Sequence, residues 1–142
     1  MRVTVDIPAS PDEVWADIAD LASHVEWMAD AERIDFLSEQ HSGVGTRMEV
    51  LTKVGPLSTT DVMEFTAWEP PHRMAIRHEG LVSGEGEFLL EPTEGGTRFV
   101  WTERLSFPWY AGGAVTALAA RPVLAAIWRR NLKRLAARFS SP

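Results

Sequence analysis

The C-terminal third of the chain constrains the fold most. From Leu124 onward the apolar residues fall at Leu124, Ile127, Trp128, Leu132, Leu135 and Phe139, the three-and-four spacing of one helix face. Arg129, Arg130, Lys133, Arg134 and Arg138 take the other side. A helix over the whole stretch from Ala111 to Phe139 would be about 40 Å long at 1.5 Å per residue, with Pro122 marking a break. An apolar stripe of that length needs an apolar surface to lie against, and the preceding residues read as short strands. The expected partner is a curved antiparallel sheet, with function in the space between sheet and helix.

The 142 residues suit one domain over 1–142, able to bury roughly two-thirds of its unfolded surface. The absence of cysteine rules out disulfides, thiolate catalysis and cysteine-ligated zinc, and it fits a reducing compartment. The opening MRVTVDIP alternates like a strand and lacks the apolar core of a signal peptide. The uncharged apolar stretch ending at Arg121 is too short and too glycine-rich for a membrane span of about 20 residues. The expectation is a soluble, cytoplasmic protein without stable membrane insertion. Charge is unevenly placed. Twenty acids face seven bases up to Glu103, and seven bases with no acid follow it. The basic helix face is expected to be solvated and drawn to an acidic sheet, with docking on anionic lipid as the alternative. The net charge of −6 argues against nucleic acid, which selects basic domains.

In chain order, residues 2–7 form a strand. Ser10-Pro11-Asp12-Glu13 opens a helix, with Ser10 as N-cap, Pro11 at the first helical position and Glu13 completing a capping box. A second short helix runs from about Leu21 to Trp27, and Trp27-Met28 is the expected lid of an apolar opening. Period-two strands follow near 32–38, 46–53, 58–68, 72–79, 83–91 and 96–106. Hairpin-length connections, among them Val54-Gly55-Pro56-Leu57 and Gly80-Leu81-Val82, make successive strands antiparallel neighbours.

Charge fixes the register. Pairing Glu91 with Arg98 and Glu85 with Arg104 outside puts Phe88 against Trp101 and Leu90 against Phe99 inside. Pairing Glu64 with both Arg77 and Arg47 puts Met63 against His78 and Met48, and Phe65 against Ile76. Each ion pair contributes only about 0.2–1 kcal/mol, but a slip of one residue would invert every strand. The inner face then holds Gly84 and Gly86, which either leave a hollow or mark a bulge. It also holds Asp61, His78 and Glu103. Buried charges need partners, and such groups often mark sites; the alternatives are rim groups reaching water, ligand-bonding groups or proton-transfer groups. Asp61 and His78 are diagonal neighbours on adjacent strands. Glu103 lies two strands from His78, roughly 10 Å away at about 4.8 Å per strand, too far for a direct pair.

Other signatures are missing: HExxH fails at Val82, neither glycine pair completes a dinucleotide or phosphate loop, no GxSxG occurs, and the histidines lack metal-ligand spacing. No metal or cofactor is expected. The order of elements, with Pro8-Ala-Ser-Pro-Asp-Glu-Val-Trp15, Glu26-Trp27, Trp68-Glu-Pro-Pro-His-Arg73 and Gly95-Gly-Thr-Arg-Phe-Val-Trp101, resembles the START/Bet v 1-like (SRPBCC) superfamily, in particular its polyketide cyclase/dehydrase-like branch. The resemblance spans essentially the whole chain. It implies an α+β helix-grip fold: a seven-stranded antiparallel sheet wrapped around a long C-terminal helix, with two short helices after strand 1 and a cavity for lipids, polyketides or other apolar molecules. Some relatives catalyse ring closure and dehydration; many only bind and carry ligands.

Three functions follow as expectations. One is binding of an apolar small molecule by Trp27, Met48, Met63, Phe65, Ile76, Phe88, Trp101, Trp128 and Leu132. Another is a cyclase or dehydratase using His78, Asp61 and Glu103. The third is a membrane-associated or protein-docking module using Trp109-Tyr110 and the basic helix. Neither ligand identity nor oligomeric state can be read from the residues.

Overall fold

The computed structural model describes residues 1–54, 56–80, 83–109 and 112–139. Its elements are β1 (Arg2–Ile7), α1 (Pro11–Ile18), a 3₁₀ turn (Leu21–Ser23), α2 (His24–Trp27), β2 (Ala31–Phe36), β3 (Arg47–Val54), β4 (Leu57–Glu69), β5 (Arg73–Glu79), β6 (Ser83–Thr93), β7 (Gly96–Ser106) and α3 (Gly113–Ala137). The strands make one antiparallel sheet in the order β1-β7-β6-β5-β4-β3-β2. Only β1 is displaced from sequence order, because α1 and α2 carry the chain across to the far edge.

The register follows the charges. Glu91 is opposite Arg98, Glu85 opposite Arg104 and Phe88 opposite Trp101; Glu64 is opposite Arg77 and Arg47, and Met63 opposite His78 and Met48. A bulge between Phe65 and Ala67 then shifts the β4–β5 register by one. Ser10 caps α1, its hydroxyl accepting from Glu13 N at 3.3 Å. Gly55, Leu81, Val82, Tyr110 and Ala111, to which expectations about turns and the helix start attach, lie outside the described residues.

Two expectations about α3 are corrected. The helix runs unbroken through Pro122. Proline removes one N–H, and the carbonyl four residues back belongs to exposed Leu118, where water can take the bond. Nor do the helix cations lean on the sheet: Arg138 pairs with Asp17 of α1 at 2.8 Å and Glu26 of α2 at 2.9 Å, and Arg134 donates to Glu26 O at 3.1 Å. The helix is latched to its helical neighbours at its C-terminal end.

That end is where the interior is solid. Ile7, Val14, Ile18, Leu21, Trp27, Phe99, Leu132 and Leu135 are fully buried together. Asn131, also fully buried, takes Ala29 N at 3.0 Å on Oδ1 and gives Nδ2 to Asp30 at 2.7 Å. It closes backbone and carboxylate valences that the turn from α2 to β2 would otherwise leave unmet.

Candidate functional site

Toward the other end of α3 the interior opens into a cavity of about 450 Å³. Its wall is largely Met28, Ile34, Met48, Met63, Phe65, Ile76, Phe88, Trp101, Leu105, Phe107, Leu124 and Trp128, with His24, Asp30, Asp61, His78, Glu87 and Glu103 as titratable members. Trp101 stacks on Trp128 at 5.0 Å between ring centroids, so the sheet and the helix meet at the cavity floor. Small residues face it at Ala31 on β2 and Ala120 on α3.

The polar groups are organised around Gly86. His78 Nε2 lies 2.9 Å from Glu103 Oε2, and Trp101 Nε1 donates to Glu103 Oε1 at 3.0 Å. This overturns the expectation that Glu103 is too far for a direct pair. The strand count was right, but Gly86 sits opposite Glu103 in register and has no side chain. Glu103 therefore lies flat across β6, its carboxylate resting where a Cβ would stand. The pair is sealed, with Glu103 5% and His78 11% exposed at the side chain. Burial pushes His78 toward the neutral form, but the Glu103 hydrogen bond and charge, with Asp61 behind them, outweigh it and hold its pKa above 6.5.

Asp61 is not hydrogen-bonded to His78. Its Oδ1 is enclosed without a partner, against Gly80. Burial raises its pKa, opposed by the charge of His78 and a hydrogen bond from Thr59. Among the described residues the enclosed side-chain polar atoms without partners are Asp61 Oδ1 and Trp27 Nε1. His78 itself lines the cavity.

Of the expected ligand contacts, Met48, Met63, Phe65, Ile76, Phe88, Trp101 and Trp128 line the cavity. Trp27 and Leu132 do not. Both are fully buried, Trp27 beneath Phe88 and Trp101 at centroid distances of 6.1 and 6.3 Å, so the lid expectation fails for Trp27 while Met28 is on the wall. His24 went unrecognised as a wall residue. It is buried, its Nε2–H donates to Ile18 O at 2.7 Å, and burial lowers its pKa against smaller opposing effects from that carbonyl, Asp17 and Asp20. Its place three residues before Trp27, on the same face of a short helix, was the readable signal. Among the described residues, no three His, Asp or Glu side chains are grouped to hold a metal ion, and no helix is long and apolar enough to cross a membrane.

A sheet gripping a terminal helix around an apolar cavity defines the helix-grip class of the START/Bet v 1-like (SRPBCC) superfamily. Within it, residues 1–140 match the family described as polyketide cyclase / dehydrase and lipid transport, and the chain belongs to that family. An uncharacterized protein of Mycobacterium tuberculosis (strain ATCC 25618 / H37Rv) is 31% identical over 140 residues, covering 94% of this chain and 80% of the relative. A crystal structure of a Thermus thermophilus protein superposes with a TM-score of 0.78 at 22% identity, over 98% of this chain and 95% of that one. The di-domain ARO/CYC StfQ from the steffimycin biosynthetic pathway superposes at 0.79 with 16% identity, over 98% of this chain and 49% of that one. These two likenesses concern the fold.

Proposed function

We propose that this protein binds an apolar, lipid- or polyketide-like small molecule in the cavity between the sheet and α3. The observation that carries the reading is the cavity itself: about 450 Å³, inside the range of small-molecule sites, with an apolar wall and few polar groups. Met48, Met63, Phe65, Ile76 and Phe88 supply contact area, and the Trp101–Trp128 stack supplies a flat floor. The family match over residues 1–140 supports one domain, and the lack of cysteine supports a cytoplasmic setting. Native mass spectrometry of protein purified from its own host tests the reading, together with tryptophan quenching by an apolar dye. A bound mass and saturable quenching are expected. Absence of both, at dye concentrations that saturate known apolar pockets, refutes it.

A second reading has its own observation. The His78–Glu103 bond at 2.9 Å fixes a histidine in the same cavity wall as Asp61, which is an arrangement for moving a proton on a bound ligand. On that reading the protein is a cyclase or dehydratase with His78 as acid–base group and Glu103, rather than Asp61, as its orienting partner. A positioned histidine contributes typically about 10²–10⁴-fold. His78→Ala should lower turnover of a poly-β-ketone probe by that order while dye binding persists; unchanged turnover removes the role.

A further inference from the structure

The outward face of α3 changes character along its length. In the first half the large apolar residues Val115, Leu118 and Val123 are 77%, 66% and 56% exposed, with exposed Arg121 outside their arc. Trp109, in the turn leading into the helix, is 86% exposed. That turn is closed by Gly112 N to Trp109 O at 3.1 Å and Gly113 N to Pro108 O at 3.0 Å, which hold the Trp109 backbone next to the helix start. In the second half Arg134 turns to Glu26 O, and the remaining exposed cations are Arg129, Arg130 and Lys133. At about 100° per residue, Val115, Leu118, Val123 and these three cations share an arc of about 140°. Among the described residues the three cations make no ion pair, while Arg138 at the helix end does.

Four large apolar side chains gathered at one helix start mark an interaction surface rather than scattered exposure. No acid occurs from Arg104 onward, so nothing on this face offsets its positive charge. Val123 belongs both to this patch and to the cavity wall, next to Ala120 and Leu124. The apolar surface thus runs from the outside of α3 to the cavity.

We propose that this face docks on an anionic lipid bilayer. Trp109 and the apolar half of α3 enter the boundary between headgroups and acyl chains, and Arg129, Arg130 and Lys133 meet the lipid phosphates. The cavity then exchanges its ligand with the bilayer through the side of α3; this last clause alone rests on the cavity reading above. A bilayer offers apolar depth and negative charge in one surface, as the helix requires. A second copy docked through the same face does not, because it sets cations against cations or against the apolar patch.

Sedimentation with vesicles of phosphatidylcholine, alone or mixed with phosphatidylglycerol, tests this. Binding is expected to the mixed vesicles only, and to fall as salt is raised. Each basic side chain near an anionic surface contributes roughly fivefold to partitioning, so Arg129→Glu/Arg130→Glu/Lys133→Glu should weaken it by at least about a hundredfold. Val115→Asp/Leu118→Asp should abolish it. None of the five residues lines the cavity, so dye binding in solution stays at the wild-type level in both variants, whether or not the ligand reading is right. Binding to neither vesicle, equal binding to both, or wild-type partitioning by either variant overturns the proposal. So does a dimer in ultracentrifugation that Val115→Asp/Leu118→Asp dissociates, since the patch then serves a second copy.

Discussion

Gly86→Ala is the most searching test of the site, because two known effects of the substitution have opposite signs. The backbone at Gly86 is not left-handed, so an added methyl strains no dihedral and would by itself stabilise by about 0.4–1 kcal/mol through the unfolded chain. The surroundings reverse this. The new Cβ would stand 2.5 Å from Glu103 Oε1 and 2.7 Å from Oε2 and Cδ. Glu103 is buried and cannot swing into water without leaving its partners. Moving it stretches the bonds from His78 and Trp101, now 2.9 and 3.0 Å. Two hydrogen bonds to a buried charged group are worth about 1.5–3 kcal/mol each, so losing both outweighs the gain by about 2–5.5 kcal/mol. At about 3 °C per kcal/mol for a chain of this size, the melting temperature falls by about 6–17 °C. Urea unfolding followed by near-UV circular dichroism gives the stability, and NMR titration of the His78 ring gives the site. Because Glu103 is what holds the His78 pKa up against burial, that pKa should drop below its wild-type position. Gly95→Ala is the control: nothing lies within 4 Å of its added Cβ, so it should be neutral or slightly stabilising. A Gly86→Ala protein as stable as Gly95→Ala, with His78 titrating as in wild type, would refute the claim that this glycine makes room for the pair.

The two buried histidines should act oppositely on stability with pH. His78 has a folded pKa above 6.5, so its contribution is complete below 6.5 and lost as pH rises through the folded value. The difference in unfolding free energy between wild type and His78→Asn should therefore narrow as pH rises above 6.5, and a constant or widening difference contradicts it. His24 has a folded pKa below 6.5, so below 6.5 the unfolded chain holds more protons and stability falls with pH. His24→Gln should flatten that acid limb in urea titrations. Asn131→Ala leaves Ala29 N and Asp30 without their partner in the core and should cost about 2–4 kcal/mol, read from the urea midpoint. Ala120→Trp, which projects an indole from α3 into the cavity, should weaken dye binding at least about tenfold while melting stays cooperative; undiminished binding would place the dye elsewhere.

Much of the architecture was legible because period-two strands, hairpin-length loops and opposite charges agree. Glu91 with Arg98 and Glu64 with Arg77 set two registers, and the inner face followed from them. The site was less legible because backbone spacing says little about where side-chain ends meet. His78 and Glu103 start two strands apart, and only the missing side chain of Gly86 between them lets a long carboxylate cross. The glycine and the acid were both visible as inner-face oddities; their relation was not. Trp27 misled for a similar reason. A tryptophan after a short helix can cover an opening or fill a floor, and the difference depends on where Phe88 and Trp101 stand in three dimensions. Asn131 was readable: it occupies the buried stripe of α3 with Trp128, Leu132 and Leu135, a polar residue where the spacing demands an apolar one.

The inner acids use one device twice, with unequal results. Glu103 lies over Gly86 of β6, and Asp61 over Gly80, just past the end of β5. Glu103 accepts from two donors, His78 and Trp101, so both oxygens are occupied and its position is fixed. Asp61 keeps an oxygen enclosed without a partner, and burial raises its pKa, the direction that favours holding a proton. His78 thus stands between a carboxylate that anchors it and a carboxyl group whose hydrogen bonding is incomplete. Titratable neighbours with different environments divide acid and base roles. It follows that a ligand with a polar end should alter the titration of Asp61 and His78 while leaving the Trp101 indole N–H resonance, locked on Glu103, in place. An indole shift equal to the imidazole shift would mean that the ligand displaces Glu103 itself, and the acid–base reading would lose its anchor.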